Sequence, residues 1–354
     1  MNIVAATKDY ESWARRRIGL IDADIALKHR RMREAAFPFL RATFYRWCPL
    51  YREVCRDLAD APKLLAVGDL HLENFGTWRD AEGRLIWGIN DFDEAAPMPY
   101  TIDLVRLATS ALLAKRDAAL SIGGRDAVAA ILAGYRRTIL AGDGKPFVLE
   151  EEHRALRAMA TGEERSPPRF WAKLTGFRTV TPPRPVRAMI ARRLPEESQQ
   201  ARYVHRIAGL GSLGHARYVG IADSDGGLVA REAKTMLPSA YGARGESSKT
   251  YYAAIIKRAV RAPDPFVAIE RGWLLRRLAP LCTRIELADL PKRKDERVLL
   301  EAMGAETANI HLGSPSALPA LRRDLKRRGD DWLRDAARRM AKATVEDWNA
   351  WRAS

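Results

Sequence analysis

The chain has 354 residues, of which 47% are apolar and 29% charged, and its formal net charge is +16. That length and apolar share suit two domains or one large bilobed unit and argue against wholesale disorder. No stretch approaches the roughly 18 consecutive apolar residues of a membrane span.

Cys48, Cys55 and Cys282 are an odd number without CxxC spacing. They exclude a cysteine-based zinc site and fit a reducing cytoplasm. The opening "MNIVAATKDYESWARRRIGL" has no charged start followed by an apolar block, so no secretory signal is expected. The positive charge has two readings. It can mark a polyanion partner such as nucleic acid, or it can solvate helix faces. The densest basic runs, residues 15–17, 28–31 and 322–328, carry no interleaved aromatics of the kind a single-strand groove needs. Nucleic acid is therefore the less favoured partner.

In chain order, residues 10–60 read as helices. "RATFYRWCPLYREVCRDLAD" puts Phe44, Trp47, Leu50, Tyr51 and Val54 on one face. "KLLAVGD" is a short buried strand running into a turn at Gly68. "NFGTWRDAEGRLIWGIND" is a hairpin around residues 80–83. "YTIDLVRLATSALLAKR" is an amphipathic helix with Ile102, Val105, Leu107, Leu112 and Leu113 inward. Residues 163–198, rich in proline and basic residues, read as a connector. After it come three strands: one ending at Gly209, one over about residues 216–222, and one running to Lys234, with "DSDGG" turning the chain between the last two. A helix, a strand in "GWLLRRLAPL" and C-terminal helices complete the pattern. The fold class is α+β.

Two stretches carry chemistry. In "VGDLHLEN", Asp69 and Asn74 sit just past a strand, where a loop can aim both into one cleft. The carboxylate can accept a proton from a hydroxyl, and the carboxamide oxygen suits Mg²⁺. Asp91, ending the hairpin in "NDFDE", can reach the same metal, and Asp93 shares its face. Such a site needs phosphate oxygens to complete it. The bland alternative is a solvated, turn-rich hairpin whose acids cap helices. In "GLGSLG", residues 209–214, a glycine turn between two strands makes a flap whose N–H groups can cover phosphates. A dinucleotide fold would require a helix right after the glycines, and "HARYVGIAD" reads as a strand. Lys234 ends the third strand, where it can pair with phosphates beneath the flap.

These pieces resemble the protein-kinase-like superfamily, and most closely its aminoglycoside and choline phosphotransferase branch. There the catalytic loop resembles H-G-D-x-H-x-x-N and the metal motif I-D-F/W. The resemblance implies ATP and Mg²⁺ as cofactors. It makes Asp69 the catalytic base, with His71 beside it as a catalytic candidate or a hydrogen-bonding partner within the loop. Asn74, Asp91 and Asp93 become metal ligands, and Asp103 a brace beneath the catalytic loop. Gly209, Gly211, Ser212 and Gly214 become the flap that binds the nucleotide phosphates together with Lys234.

In that superfamily the flap and lysine precede the catalytic loop. Here they follow it by about 140 residues, which a bilobed cleft tolerates because its parts need only meet in space. The whole resembles an uncharacterised bacterial family, domain of unknown function 2252, on "AAFPFLRATF", "VGDLHLEN", "NDFDE", "GLGSLG" and "AREAK". The implied architecture is a bilobed, circularly permuted kinase-like fold. Residues 1–195 would form a helical catalytic lobe, 196–290 a β-rich nucleotide-binding lobe, and 291–354 helices returning to the first lobe.

Two departures matter. Val67-Gly68 replaces the usual His-Arg or His-Gly before the aspartate. The helix "TYYAAIIKRAV" offers no acid to Lys234, which leaves Glu246 or Glu232. Arg41 either salt-bridges the catalytic loop or contacts phosphate, and His311 reads as a satisfied helix histidine.

The leading expectation is a Mg-ATP-dependent phosphotransferase acting on a hydroxyl of an unidentified, small-molecule acceptor. The alternatives are a nucleotide-binding pseudokinase or regulator without turnover, an enzyme of the same fold that transfers the nucleotide, and a basic nucleic-acid-binding protein.

Overall fold

The computed structural model describes residues 1–197, 200–242, 249–290 and 295–354. The chain is α+β. Its ten strands are β1 (Lys63–Ala66), β2 (Phe75–Arg79), β3 (Leu85–Ile89), β4 (Ala96–Pro99), β5 (Phe147–Val148), β6 (Arg202–His205), β7 (Arg217–Ser224), β8 (Gly227–Thr235), β9 (Ala268–Glu270) and β10 (Trp273–Leu278) among the described residues. They form three sheets: β1-β4, β2-β3-β5, and β6-β7-β8-β10-β9.

The expected hairpin is β2 and β3, paired from Phe75 opposite Ile89 to Arg79 opposite Leu85. Asp80 closes its turn by accepting from the N–H groups of Glu82 and Arg84, the usual work of an aspartate in a turn. The helix Thr101–Arg116 departs from the amphipathic expectation. Leu104, Ala108 and Ala111 are as buried as Ile102 and Val105, while Leu112 is only half-buried. Other helices surround it, so it has no solvent face for a polar stripe. No helix among the described residues is long and apolar enough to cross a membrane.

The five-stranded sheet shows what a period-2 pattern does when its two halves differ. Residues directly opposite on neighbouring strands share a face. One row reads Arg217, Lys234, Leu274; the next Val219, Glu232, Arg276; the next Ile221, Ala230, Leu278. The apolar end of this face packs with Val204 against Leu174, Phe170, Trp171 and Phe177 of the segment 167–177. Its charged end carries Arg217, Lys234, Glu232 and Arg276. The opposite face, with Ala233, Leu275, Tyr203 and Tyr218, is covered by Val186, Met189 and Ile190.

The proline-rich stretch expected as a connector is therefore structured. Helices Pro167–Thr175 and Arg184–Ala191 cover the sheet's two faces. Proline at a first helical turn gives up no bond and presets φ, so composition misled here. The first strand also stops at His205, four residues before the expected Gly209. The loop to β7 is correspondingly longer.

After β10 the chain returns. The Thr283 carbonyl accepts from Thr77 N–H, and Ile285 N–H donates to the Phe75 carbonyl, so this segment runs beside β2. The helix Glu296–Leu312 then crosses Gly124–Ala141 at two glycines. A Cβ on Gly134 would stand 1.9 Å from the Glu301 carbonyl oxygen, and one on Gly304 would stand 2.0 Å from that of Ile131. The backbones touch, and no side chain can yield to relieve the contact. Gly304→Ala should accordingly cost about 1–3 kcal/mol through overpacking, despite alanine's better helix propensity. Urea denaturation of the variant checks this, and an unchanged midpoint would contradict the close crossing.

Candidate functional site

The catalytic-loop candidate hangs from one buried carboxylate. Asp103 accepts from Val67 N–H and Gly68 N–H, each at 2.8 Å, and His311 Nε2 lies 2.9 Å from it. His311 Nδ1 in turn meets the Tyr135 hydroxyl at 2.8 Å. This fixes where the chain leaves β1, and so where Asp69 projects. His311 is a satisfied helix histidine.

Asp69 is 18% exposed at its side chain and held by fully buried Arg106, whose Nε donates to Oδ1 at 2.7 Å. Arg106 Nη2 donates to the same oxygen and to the Leu40 carbonyl. Burial lifts the Asp69 carboxyl to about 6, with Arg106 opposing the rise. Oδ2 is left to face the glycine flap, where a Cβ on Gly211 would stand 3.4 Å from it.

The buried His71 ring accepts from Glu73 N–H through Nδ1 at 3.2 Å. Burial and then the cations Arg41, Arg106 and Arg284 hold its pKa well below the usual histidine value, so it is neutral. Asn74 donates Nδ2 to the Asp69 carbonyl at 2.5 Å, so of its two amide atoms Oδ1 is the one that could accept a cation. Of the two readings of Arg41, the structure shows the salt bridge: its Nη1 lies 2.6 Å from Glu73.

Asp91 and Asp93 follow β3. Asp91 is 43% exposed at its side chain and lies 3.9 Å from the Lys234 ammonium. Asp93 pairs with Lys234 directly. Burial pushes the Asp91 pKa up, but Lys234, Arg276 and Arg217 outweigh it and leave a net lowering. Burial and neighbouring Asp91 raise that of Asp93. Its Oδ1 is buried without a hydrogen-bond partner. Next to them, burial and then Asp69 lift Glu94 to about 8.

The flap folds over this floor. Gly209 has φ +77°, a left-handed conformation that suits glycine. Ser212 N–H donates to the Gly209 carbonyl. A Cβ on Gly211 would stand 3.0 Å from the Arg41 carbonyl oxygen, so the backbone passes close above the loop. The second helix of the chain, Asp22–Glu34, clasps the flap. Lys28 donates to the Gly211 carbonyl, and Asp24 meets His205 at 2.8 Å.

Asp69, His71, Asn74, Asp91, Asp93, Gly209, Gly211 and Ser212 all line a single cavity. Gly214 does not. It packs on Ile25 at the far side, where a Cβ would stand 2.4 Å from that side chain. Lys234 reaches the cavity through its bond to Asp93.

One expectation needs correction. Glu232 does not brace Lys234; its carboxylate takes Arg206 at 2.7 Å, Arg276 at 2.6 Å and Arg217 at 3.2 Å. Glu246 lies outside the described residues. The sequence reading missed Arg106 and the three arginines on Glu232. An arginine next to apolar helix residues looks like any surface charge until the partner loop is known, but Arg276 and Glu232 could have been suspected from their strands' alternation.

No group of three or more His, Cys, Asp and Glu side chains among the described residues forms a metal-binding cluster. Asp91, Asp93 and Asn74 give two carboxylates and an amide oxygen, and Asp93 has a buried oxygen without a partner. In donor type that set is what Mg²⁺ ordinarily takes, one or two carboxylates completed by phosphate oxygens, and Asp93 is here engaged by Lys234.

A family model described as an uncharacterized protein conserved in bacteria, domain of unknown function 2252, matches residues 20–168. The matched stretch holds the floor of the cavity and stops short of the flap and Lys234. No curated protein and no solved structure matches the chain.

The raised Glu94 has a direct consequence. A carboxyl whose pKa rises on folding contributes stability that is fully present below its unfolded value, near 4.5, and lost as pH rises through about 8. Glu94→Gln keeps an acceptor for Ala240 N–H and removes the charge. The variant should match the wild type in chemical denaturation below about pH 5 and exceed it above about pH 8. Equal stability at the higher pH would show that the carboxylate is not under this strain.

Proposed function

We propose that the chain is a Mg-ATP-dependent phosphotransferase whose acceptor is a hydroxyl of a small molecule. One observation carries the reading. A single cavity gathers a strand-end aspartate, an amide oxygen, two further carboxylates and a glycine flap, with a lysine at its edge, from segments far apart in the chain. The glycine turn lies between the first two strands of its sheet and the lysine on the third. Protein kinases share that arrangement. The match of the floor residues to a family of unknown activity leaves the acceptor open.

In this reading Asp69 is ionised at neutral pH and aims Oδ2 at the acceptor hydroxyl, while Arg106 fixes Oδ1. As the acceptor oxygen forms its bond to the γ-phosphorus, its proton passes to Asp69. The bond from that phosphorus to the bridging oxygen breaks, and ADP leaves. Asp91, Asp93 and Asn74 would hold Mg²⁺, which neutralises phosphoryl charge when bound. Lys234 turns from Asp93 to the phosphates, and the flap excludes water.

A second reading is nucleotide binding without turnover. It is favoured by the absence, among the described residues, of a carboxylate bracing Lys234 from its helix side.

Phosphate-transfer assays separate the two readings, and calorimetry tests the metal site they share. Asp69→Asn should lower phosphate transfer on the order of 100-fold or more while leaving nucleotide affinity intact. Because the base must be deprotonated, wild-type transfer should climb with pH through about 6 and level off above it. Full transfer by Asp69→Asn would sink the assignment. Asp91→Ala should abolish Mg-dependent ATP binding in calorimetry, and unchanged binding would remove Asp91 from the metal site.

A further inference from the structure

Glu232 is fully buried, yet three guanidiniums converge on it from three different segments. Arg206 lies just after β6, Arg217 opens β7, and Arg276 sits directly opposite Glu232 on β10. One carboxylate cannot neutralise three guanidiniums, and each arginine has five N–H donors. All three arginines line the same cavity as Asp69 and Asp91. Arg217 also donates to the Ser212 hydroxyl at 3.0 Å, which ties the cluster to the flap.

The same cavity also holds carboxylates, with Arg41 and Arg284 among them. Asp69, Asp91 and Asp93 form the floor, and Arg217 and Arg276 act electrostatically on Asp91 from above. Arg206 also lines the neighbouring cavity that holds Phe170, Lys173 and Phe177, so a ligand spanning both would pass along it. The cluster is far larger than one buried carboxylate needs, and it faces the cavity instead of solvent.

We propose that Arg206, Arg217 and Arg276, gathered by Glu232, form the binding site for the donor's polyphosphate chain, with Glu232 as their positioning residue. The site adds bidentate phosphate contacts to those of Lys234, whose partner among the described residues is Asp93. Planar guanidiniums can grip two oxygens of one phosphate, which an ammonium cannot. This inference rests on the phosphotransferase reading for its placement of the donor, though an anion site could exist without transfer.

The test is calorimetry on the full chain with Mg-ATP, with inorganic tripolyphosphate and with adenosine. The wild type, Arg206→Ala, Arg276→Ala, Arg206→Lys and Glu232→Gln are compared, and a thermal melt of each reports folding. Tripolyphosphate, with neither base nor sugar, is expected to bind the wild type. Arg206→Ala and Arg276→Ala are expected to weaken tripolyphosphate and ATP by a common factor of about tenfold or more, with adenosine unaffected. Arg206→Lys should recover part of the loss, and Glu232→Gln should weaken both phosphate ligands together.

Binding within twofold of wild type in folded arginine variants overturns the proposal, as does ATP binding without tripolyphosphate binding; the phosphotransferase reading survives both. Tripolyphosphate binding without ATP binding leaves the anion site standing and sinks the phosphotransferase reading. No binding of either ligand by the wild type, whose result does not depend on how the variants fold, overturns both.

Discussion

A single carboxylate sets the geometry on which the rest of the site depends. Asp103 is completely buried and takes two backbone N–H groups of the segment that leads to Asp69. Its third partner, His311, comes from a helix that enters the fold only after the five-stranded sheet is complete. A buried carboxylate survives only if it is paired and hydrogen-bonded. The requirement to satisfy Asp103 therefore draws the end of the chain back onto its first third. The glycine crossing of the helices Gly124–Ala141 and Glu296–Leu312 serves the same closure by letting the two backbones meet.

On that frame, charge is arranged in two layers. The floor carries the aspartates, with Arg106 and Arg41 paired among them, the roof carries the Glu232 arginines, and Lys234 bridges the two at Asp93. Each layer is costly to bury alone and tolerable facing the other. Burial raises the pKa values of Asp69, Asp93 and Glu94 while the cations hold that of Asp91 down, so the compensation is uneven across the floor. Uneven compensation is characteristic of functional sites, where groups are held away from their ordinary protonation behaviour.

Much of this was legible in the residues, and the rest failed for identifiable reasons. The hairpin, the "DSDGG" turn and the strand bearing Lys234 follow from period and turn chemistry, which are local. Eight of the expected site residues share one cavity because a strand-end loop, a hairpin end and a glycine turn are places where chains converge. Long-range pairing was not legible. Arg106 lies 37 residues from Asp69, and no local pattern distinguishes it from a surface arginine. Glu232 shares a strand face with Lys234, which suggested a pair. Side chains two apart on a strand point the same way, but the cross-strand neighbour is closer. Arg276 occupies that place. The two helices within residues 163–198, expected as a connector, were missed because proline signals both a linker and a helix's first turn.

The two-layer arrangement also constrains how any ligand can enter. In the free protein Lys234 spends its charge on Asp93, and Arg217 and Arg276 spend part of theirs on Asp91. Drawing an anion onto the roof takes those cations from the floor and leaves Asp91 and Asp93 with uncompensated charge. Drawing a cation onto the floor does the reverse to Lys234 and the arginines. Either event alone exposes unpaired charge in a partly buried cleft, whereas both together restore pairing on each side. Ligands that share such a penalty bind with positive coupling, because the first to bind relieves a cost that the second would otherwise bear. Glu232 holds the three arginines of the roof, and Lys234 on the same strand takes Asp93 as its partner instead.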